Sequence, residues 1–437
     1  KRFNNYAAMT FVIAWRLFIF FCEIRNMLKR QLVVSIFVAL QVPFCLAGAV
    51  DSGYEVSLEG AIQKAINYYP TIMQAEQQRF AQNQEVLGAE AKHWPTVGLE
   101  SNTSWYADSD QDAGDNTGVL VKVPVYSGGR IEAGVRVQKA LYEKAGEQVT
   151  LAEDDVVLKA SSAYLGWYYA VRAVRLADAN VETIDSIVKD VKSVAEYDPG
   201  RQADVYQAVV RQAKAQQEVD RQRAVLQQAE ATYNRFIGEL PSGEGELTDA
   251  WTMSALPPSL DVALSRVAYG HPRILAAEAE ARAAQENIDV AKAQTKPELS
   301  LDVRSAHGGS ASLNVTWTGF DLSARHAVSA ASSSSIAAQN AVADIRLEVE
   351  ESLRRSWAAM DSARARQSSA QTQVKTGEKV LQAYKDQFQV GRRSLLDLLN
   401  ASDEVYTNRL SALNAEGDLY FARYQVLGTL GRLAEHY

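Results

Sequence analysis

Few residues in this sequence have a spacing that could support catalysis. The five histidines, at positions 93, 271, 307, 326 and 436, form no HExxH or similar metal-ligand spacing. The sequence also contains no GxxxxGK[ST] phosphate-binding loop and no GxSxG nucleophile motif. We therefore predict that the protein is not an enzyme and that it has no cofactor and no metal site.

The overall composition indicates a folded protein without affinity for nucleic acid. Lys and Arg number 45 against 53 Asp and Glu, which gives a net charge of −8. A hydrophobic share of 47% argues against a helical membrane protein with many spans. The ten prolines leave 125–198, 200–240 and 298–437 without a helix breaker. Long uninterrupted helices are expected in those three stretches.

The N-terminal residues have the pattern of a secretory signal. A basic start, a mostly apolar run over Leu32–Leu46 and small residues follow one another in the usual order. We predict a signal peptide at 27–49 and interpret 1–26 as a translated upstream segment, with a membrane anchor as the weaker alternative. Both cysteines, Cys22 and Cys45, precede the expected cleavage site, so the mature chain would tolerate an oxidising compartment.

The rest of the chain is predicted to contain two copies of one unit. The first repeat covers 50–240, the second covers 259–437, and a linker rich in Gly and Pro covers 241–258. Matched residues lie 202 positions apart in three pairs: Leu58 and Leu260, Pro70 and Pro272, Pro95 and Pro297.

Each repeat is predicted to pass from helix to strand and back to helix. Helical periodicity over 58–67 and 71–93 gives way to alternation that predicts β-hairpins at 96–126 and 298–318. A polar loop with a glycine is predicted over Asp108–Asn116, between the two strands of the first hairpin. Apolar or alanine residues then recur in steps of three and four from Val149 to Ala195, which predicts coiled-coil spacing. Each repeat would end in a long helical hairpin.

Four strands per chain predict an oligomer in a membrane. Strands of about ten residues that alternate apolar and polar can cross a bilayer only in a closed barrel. Four strands cannot close one, whereas three chains would supply twelve strands. The alternative is that the hairpins form two small soluble sheets packed on the helices.

At this point the sequence resembles the TolC-like outer-membrane channel proteins over essentially all of its mature length. The likeness rests on the duplicated leucine and proline framework, on Val123–Arg130 after the second strand, and on Gly391–Ala401 at the last helical turn. It implies an α+β membrane protein that forms a homotrimer, with a twelve-stranded β-barrel in outer-membrane lipid and a periplasmic tunnel of long helices. A periplasmic adaptor protein and an inner-membrane ABC or RND transporter would dock at the helical tips.

The resemblance also implies a gate at the inner helical hairpin. Asp397, six residues after the turn glycine Gly391, matches an acidic position that narrows the pore, and a ring of three such carboxylates favours cations. The second acidic position of the family is Asn400 in this chain, so we expect a weaker ring.

Further gate residues are implied around the two hairpin tips. Arg393 matches a basic residue that ties the closed state to its neighbours, and Asp204 matches an acidic partner on the outer hairpin. Phe388 occupies the position of a tyrosine whose hydroxyl would complete that network. The tip turns themselves are expected at Gly200, at Gly391 and at Ser394. Without the resemblance, these residues would be interpreted as ordinary charged turns.

The tryptophans have two expected roles. Trp105, Tyr106 and Trp317 are predicted to form an aromatic girdle at the membrane interface. Trp167 and Trp357 are expected to fill wide holes between helices instead.

Our first functional hypothesis is a passive conduit for type I protein secretion, driven by partner proteins because the chain has no nucleotide site. Pro43 and Phe44 before Cys45 do not fit a lipid-attachment signal, which slightly favours this hypothesis over multidrug efflux. A soluble periplasmic coiled-coil scaffold is the third hypothesis. The first two place the protein in the bacterial outer membrane with a large periplasmic portion.

Overall fold

The structure is a computed structural model that describes residues 57–103, 115–241, 243, 245–247, 255–305 and 309–437. The predicted signal peptide at 27–49, the segment 1–26 and the girdle residues Trp105 and Tyr106 lie outside the described residues.

The described part of the first repeat contains four α-helices. They are α1 (Leu58–Tyr68), α2 (Pro70–Ala91), α3 (Arg130–Tyr197) and α4 (Gln202–Ile237). Ser57 caps α1 by accepting a hydrogen bond from the backbone N of Gly60 at 3.1 Å. Pro70 begins α2, where its missing N–H costs nothing.

The second repeat contains helices of the same lengths in the same order. They are α5 (Leu260–Gly270, 11 residues), α6 (Pro272–Ala293, 22), α7 (Leu322–Gln389, 68) and α8 (Leu395–Leu430, 36). The equivalent helices α1 to α4 also have 11, 22, 68 and 36 residues. Equal lengths keep the two halves in register along the molecule, as a duplicated hairpin requires. The exact repeat boundaries and the linker at 241–258 stay predictions.

The four strands that the structure describes form one antiparallel sheet. The strands are β1 (Thr96–Thr103), β2 (Asp115–Tyr126), β3 (Glu298–Arg304) and β4 (Ser310–Thr316), and they are hydrogen-bonded in that order. The alternative of two separate small sheets is therefore wrong, because β2 of the first repeat pairs with β3 of the second. The predicted loop over Asp108–Asn116 is too long at its end, since Asp115 already pairs with Thr103.

The helices pack in two different orders along their length. Near the sheet, α2 packs on α3, α3 on α6 and α6 on α7. Beyond that region the two hairpins meet, where α4 packs on α3, α3 on α8 and α8 on α7. Because α3 and α7 each run through both regions, they join the sheet to the hairpin tips.

Large aromatic residues fill the core where the two repeats meet. Trp167 and Tyr164 on α3 and Tyr233 on α4 are fully buried, and the rings of Trp167 and Tyr233 lie 5.5 Å apart. Trp357 packs against a separate cluster between α7 and α8 that includes Leu353 and Met360. Both tryptophans therefore fill space between helices.

Among the described residues, no helix has an apolar stretch long enough to cross a bilayer.

Candidate pore wall and gate

One face of the sheet is almost entirely aliphatic. The strand register aligns Val97, Val121 and Val303 in one row, and it aligns Val123, Leu301 and Leu313 in another. This face does not pack on the helices, since Val97 is 71% exposed and Leu99 is 84% exposed. An exposed aliphatic face of this extent is unfavourable in water but favourable against lipid.

The opposite face of the sheet is polar, and most of its charges are paired. Arg304 and Glu100 form an ion pair at 3.1 Å. Asp302 accepts hydrogen bonds from Asn314 at 2.7 Å and from Ser300 at 3.2 Å. Alternation of lipid-facing and polar side chains is the pattern of a strand that separates lipid from an aqueous interior.

Aromatic side chains mark the edge of the sheet next to the helices. Trp317 directly follows β4 and is 62% exposed, and its indole N–H donates to the carbonyl of Thr295 at 3.2 Å. Trp94, just before β1, and Tyr126, at the end of β2, are exposed at the same edge. Trp317 was predicted from the sequence, whereas Trp94 and Tyr126 were not, although their places at the ends of predicted strands could have revealed them.

The inner hairpin turns through Gly391 and Ser394. Gly391 has φ +71°, a conformation that glycine adopts without strain. Ser394 caps α8, because its Oγ accepts a hydrogen bond from the backbone N of Asp397 at 3.1 Å. The outer hairpin turns through a short 3₁₀ helix, Pro199–Arg201, in which the backbone N of Gly200 donates to Asp198 at 3.1 Å.

Arg393 and Asp397 lie together at the tip of the inner hairpin. The Nη1 of Arg393 is 3.7 Å from the Oδ2 of Asp397. The Nε of Arg393 donates to the side-chain oxygen of Gln387 at 3.0 Å, and its guanidinium lies 4.2 Å from the ring centroid of Tyr384. Gln387 and Tyr384 were not predicted from the sequence. Both lie on α7 shortly before the turn, and the turn places Arg393 against them.

The other predicted gate residues are distributed around this pair. Phe388 packs against a buried cluster of Ile184, Val188 and Leu398 at the tip, so it contributes an apolar contact. Asp204 lies in the first turn of α4, and among the described residues it has no ion-pair partner.

Asn400 contacts the outer hairpin and forms no hydrogen bond with Arg393. Its side-chain oxygen accepts a hydrogen bond from Arg211 of α4 at 2.9 Å. Arg211 also forms an ion pair with Asp403 on α8, and Lys214 lies 3.7 Å from the same carboxylate. This connection between α4 and α8 joins the two hairpins, and a sequence without a known helix order could not reveal it.

A second connection between α4 and α8 lies further from the tip. The hydroxyl of Tyr406 donates to Glu218 at 2.9 Å. Partial burial alone would raise the pKa of Glu218, but hydrogen bonds from Arg221, Gln222 and Tyr406 lower it below its usual range. Burial raises the pKa of the Tyr406 phenol, and its bond to Glu218 raises it further. The proton therefore stays on the tyrosine, and the bond remains charge-assisted.

No group of three or more potential metal ligands converges among the described residues.

The geometry defines a class of protein: a membrane-facing sheet whose strands run directly into long helical hairpins. Comparison with known proteins shows what the chain resembles. Residues 263–432 match the outer membrane efflux protein family. The outer membrane efflux protein BepC of Brucella suis biovar 1 (strain 1330) is 23% identical over 409 residues, which cover 89% of each chain.

Solved structures share the fold across most of the molecule. CusC superposes with a TM-score of 0.75 at 16% identity and covers 86% of this chain and 92% of its own. The outer-membrane channel OprN gives 0.73 at 19% identity, covering 86% and 89%. VceC of Vibrio cholerae gives 0.71 at 16% identity, covering 86% and 96%.

Taken together, these matches show that the chain shares its fold with solved outer-membrane channels and is similar to outer membrane efflux proteins. The related protein BepC is an outer membrane efflux protein, and OprN is an outer-membrane channel. The fold class predicted from the sequence is confirmed: duplicated long helical hairpins and four strands in each chain.

Proposed function

We propose that three chains close into one passive conduit, in which the polar face of the sheet and the helices enclose a continuous path for solutes. The observation that carries this proposal is the exposed aliphatic face of a sheet whose two outer edges, on β1 and β4, pair with no further strand among the described residues. Unpaired edges are unfavourable within a membrane, and closing the barrel removes them.

The helices α2 and α7, which end the row of packed helices near the sheet, each leave one side uncovered by any other described helix. β1 follows α2 and β4 precedes α7, so each unpaired strand edge continues into a helix with an uncovered side. Along α2, Met73, Phe80 and Leu87 recur every seven residues and are 64%, 59% and 49% exposed. Heptad spacing of apolar residues is typical of a helix that packs against another helix.

The near-sheet half of α7 has a complementary exposed surface. Leu322, Ile336 and Leu347 are each more than half exposed. Because α2 and α7 are the two ends of the row α2, α3, α6 and α7, contact between α7 of one chain and α2 of the next would close a ring. The same contact would bring β4 of one chain beside β1 of the next.

A charge placed in this contact tests the closure. We expect Phe80→Glu to abolish the trimer of the detergent-purified mature protein, measured by native mass spectrometry. Gln78→Glu is the matched control, because Gln78 is exposed on the same helix but lies about 160° around its axis from Phe80. A trimer that survives Phe80→Glu would contradict the proposed contact.

The tip of the inner hairpin is our proposed gate. We assign Asp397 to the narrowest ring of the pore, with Arg393, Asn400, Phe388 and Asp204 around it. The contacts of Asn400 and Asp403 with Arg211 support a closed arrangement in which the inner hairpin is held against the outer one. Energy for export would come from an inner-membrane ABC or RND transporter that docks through a periplasmic adaptor protein at the hairpin tips.

Type I protein secretion remains our first proposal for the cargo. Multidrug efflux is the second, favoured by the efflux name of the related BepC protein. A soluble scaffold does not account for the exposed aliphatic sheet face, and we do not propose it further.

Deletion of the gene separates the two cargo proposals. Under type I secretion, a large polypeptide would disappear from the culture medium while sensitivity to dyes and detergents stayed unchanged. Under drug efflux, sensitivity would rise and the set of secreted proteins would stay the same. Complementation with the wild-type chain should restore whichever property was lost.

A further inference from the structure

We infer that Tyr384 controls how far Arg393 neutralises Asp397, which makes Tyr384 a specificity-determining residue of the pore. The inference rests on the proposed function, in which Asp397 forms the constriction. Tyr384 acts through Arg393 and is therefore a positioning residue.

The three contacts of Arg393 differ in kind. The bond from its Nε to Gln387, at 3.0 Å, is a full hydrogen bond, and the stacking distance of 4.2 Å over Tyr384 is short for a cation–π contact. The 3.7 Å separation between Nη1 and the Asp397 oxygen is too long for a hydrogen bond. Arg393 is therefore held mainly by α7, beside Asp397 but not bonded to it.

The ring of Tyr384 is a fixed platform for this contact. It packs against the buried tip cluster that contains Ile184, Val191 and Leu398, which come from α3 and α8. Among the described residues its hydroxyl has no hydrogen-bond partner, so replacement by Phe removes no bond and keeps the stacking face.

The position of Arg393 matters because the charges around this turn nearly cancel. Between positions 385 and 397 the chain has three basic residues, Lys385, Arg392 and Arg393, and two acidic residues, Asp386 and Asp397. A carboxylate ring in such surroundings favours cations only where the neighbouring guanidinium is held back.

Loss of the stacking platform should let Arg393 move toward Asp397. An exposed cation–π contact changes the population of the stacked state about two- to five-fold. Without it, a direct hydrogen bond to Asp397 becomes the most favourable arrangement for Arg393, because charge-assisted bonds to carboxylates are the strong ones. The carboxylate ring would then be neutralised, and the cation preference would fall.

Ion selectivity in planar bilayers is the main test. We expect Tyr384→Leu to lower the potassium-to-chloride permeability ratio about two-fold or more. Tyr384→Met should behave in the same way and provides a second variant in case the leucine variant fails to fold. Tyr384→Phe should keep the wild-type ratio. In an Arg393→Gln background, Tyr384→Leu should have no effect, because the residue through which Tyr384 acts is gone.

Chemical modification tests the contact without relying on the pore. In an Asp397→Ala background, where no carboxylate at position 397 can protect the guanidinium, phenylglyoxal should modify Arg393 about two-fold faster or more with Tyr384→Leu than with Tyr384 or Tyr384→Phe, as measured by tandem mass spectrometry. Arg392 is the internal control, since it has no ion-pair partner among the described residues and its rate should stay constant.

The outcomes distinguish the inference from the proposed function. If Asp397→Ala shifts selectivity but Tyr384→Leu does not, the inference is overturned and the constriction stands. A selectivity change in Tyr384→Leu that persists in the Arg393→Gln background would also overturn it. If Asp397→Ala leaves selectivity unchanged, the proposed constriction fails, and the role of Tyr384 in selectivity fails with it.

Discussion

Arg211 on α4 and Asp403 on α8 form a half-buried ion pair that connects the outer and inner helical hairpins of one chain. Their side chains are 24% and 31% exposed, and Arg211 also donates to Asn400. Because Asn400 and Asp403 come from the second repeat and Arg211 from the first, this contact joins the two halves of the molecule close to the tips.

Removal of Arg211 should loosen the start of α8. We expect Arg211→Ala to cost about 1 kcal/mol locally, because it leaves Asp403 with only a distant lysine, and to speed amide hydrogen exchange over 395–405 about five-fold. Hydrogen-exchange mass spectrometry of the detergent-purified protein measures this. The matched control is Arg223→Ala on the same helix, whose pair with Asp178 is more exposed and 3.6 Å long. Equal exchange in both variants would argue against the connection.

His271 should make stability depend on pH. Its Nδ1 accepts a hydrogen bond from the backbone N of Arg273 at 3.1 Å, and burial together with the charge of Arg273 lowers its pKa to about 4. The unfolded chain binds the proton near pH 6.5, so this stabilisation is complete above about pH 6.5 and is lost as pH falls toward 4.

His271→Asn keeps a capping acceptor but removes the titration. Between pH 7.5 and 4.5, the wild type should therefore lose about 2 kcal/mol more stability than the variant, which circular dichroism melting in detergent would reveal. The same pH dependence in both proteins would mean that His271 does not titrate in this range.

The two faces of β4 should respond oppositely to a positive charge. Leu313 lies on the aliphatic face, and a lysine there should cost about 2–4 kcal/mol in the membrane and abolish assembly. Asn314, the next residue, faces Asp302, so Asn314→Lys gains an ion pair and should assemble normally. Heat-modifiable trimers in outer-membrane fractions report the result. Normal assembly of Leu313→Lys would remove the assignment of this face to lipid.

Two adjacent glycines at the corner between β2 and α3 should differ in tolerance. Both have positive φ, but a Cβ at Gly128 would lie 2.8 Å from the Cβ of Lys296, whereas one at Gly129 would meet nothing within 4 Å. Gly129→Ala should therefore cost only the conformational strain of about 1 kcal/mol, and Gly128→Ala distinctly more. Thermal melting of the two variants compares them, and equal melting temperatures would contradict the crowding.

Much of the fold could be predicted from the sequence because periodicity and proline placement report local structure directly. The alternation over 96–126 predicted strands, and the helical periodicity over 58–67 and 71–93 predicted two helices that the structure confirms. The end of the loop before β2 was misjudged, because Asp115 and Asn116 have turn-forming side chains but pair with β1.

The environment of the candidate gate could be predicted only in part. The resemblance supplied Arg393 and Asp397, whose proximity follows from their i, i+4 spacing. The contacts of Tyr384 and Arg211 depend on how α7 and α8 pack against other helices. No local pattern in the sequence encodes that packing.

Single-channel recording of the detergent-purified mature protein in planar bilayers tests the central claim most directly. The account predicts discrete openings with a cation preference, and a weaker preference in Asp397→Ala because the carboxylate ring is lost. Openings that the substitution leaves unchanged would discard Asp397 as the constriction. A folded protein that never produces openings would contradict the conduit itself.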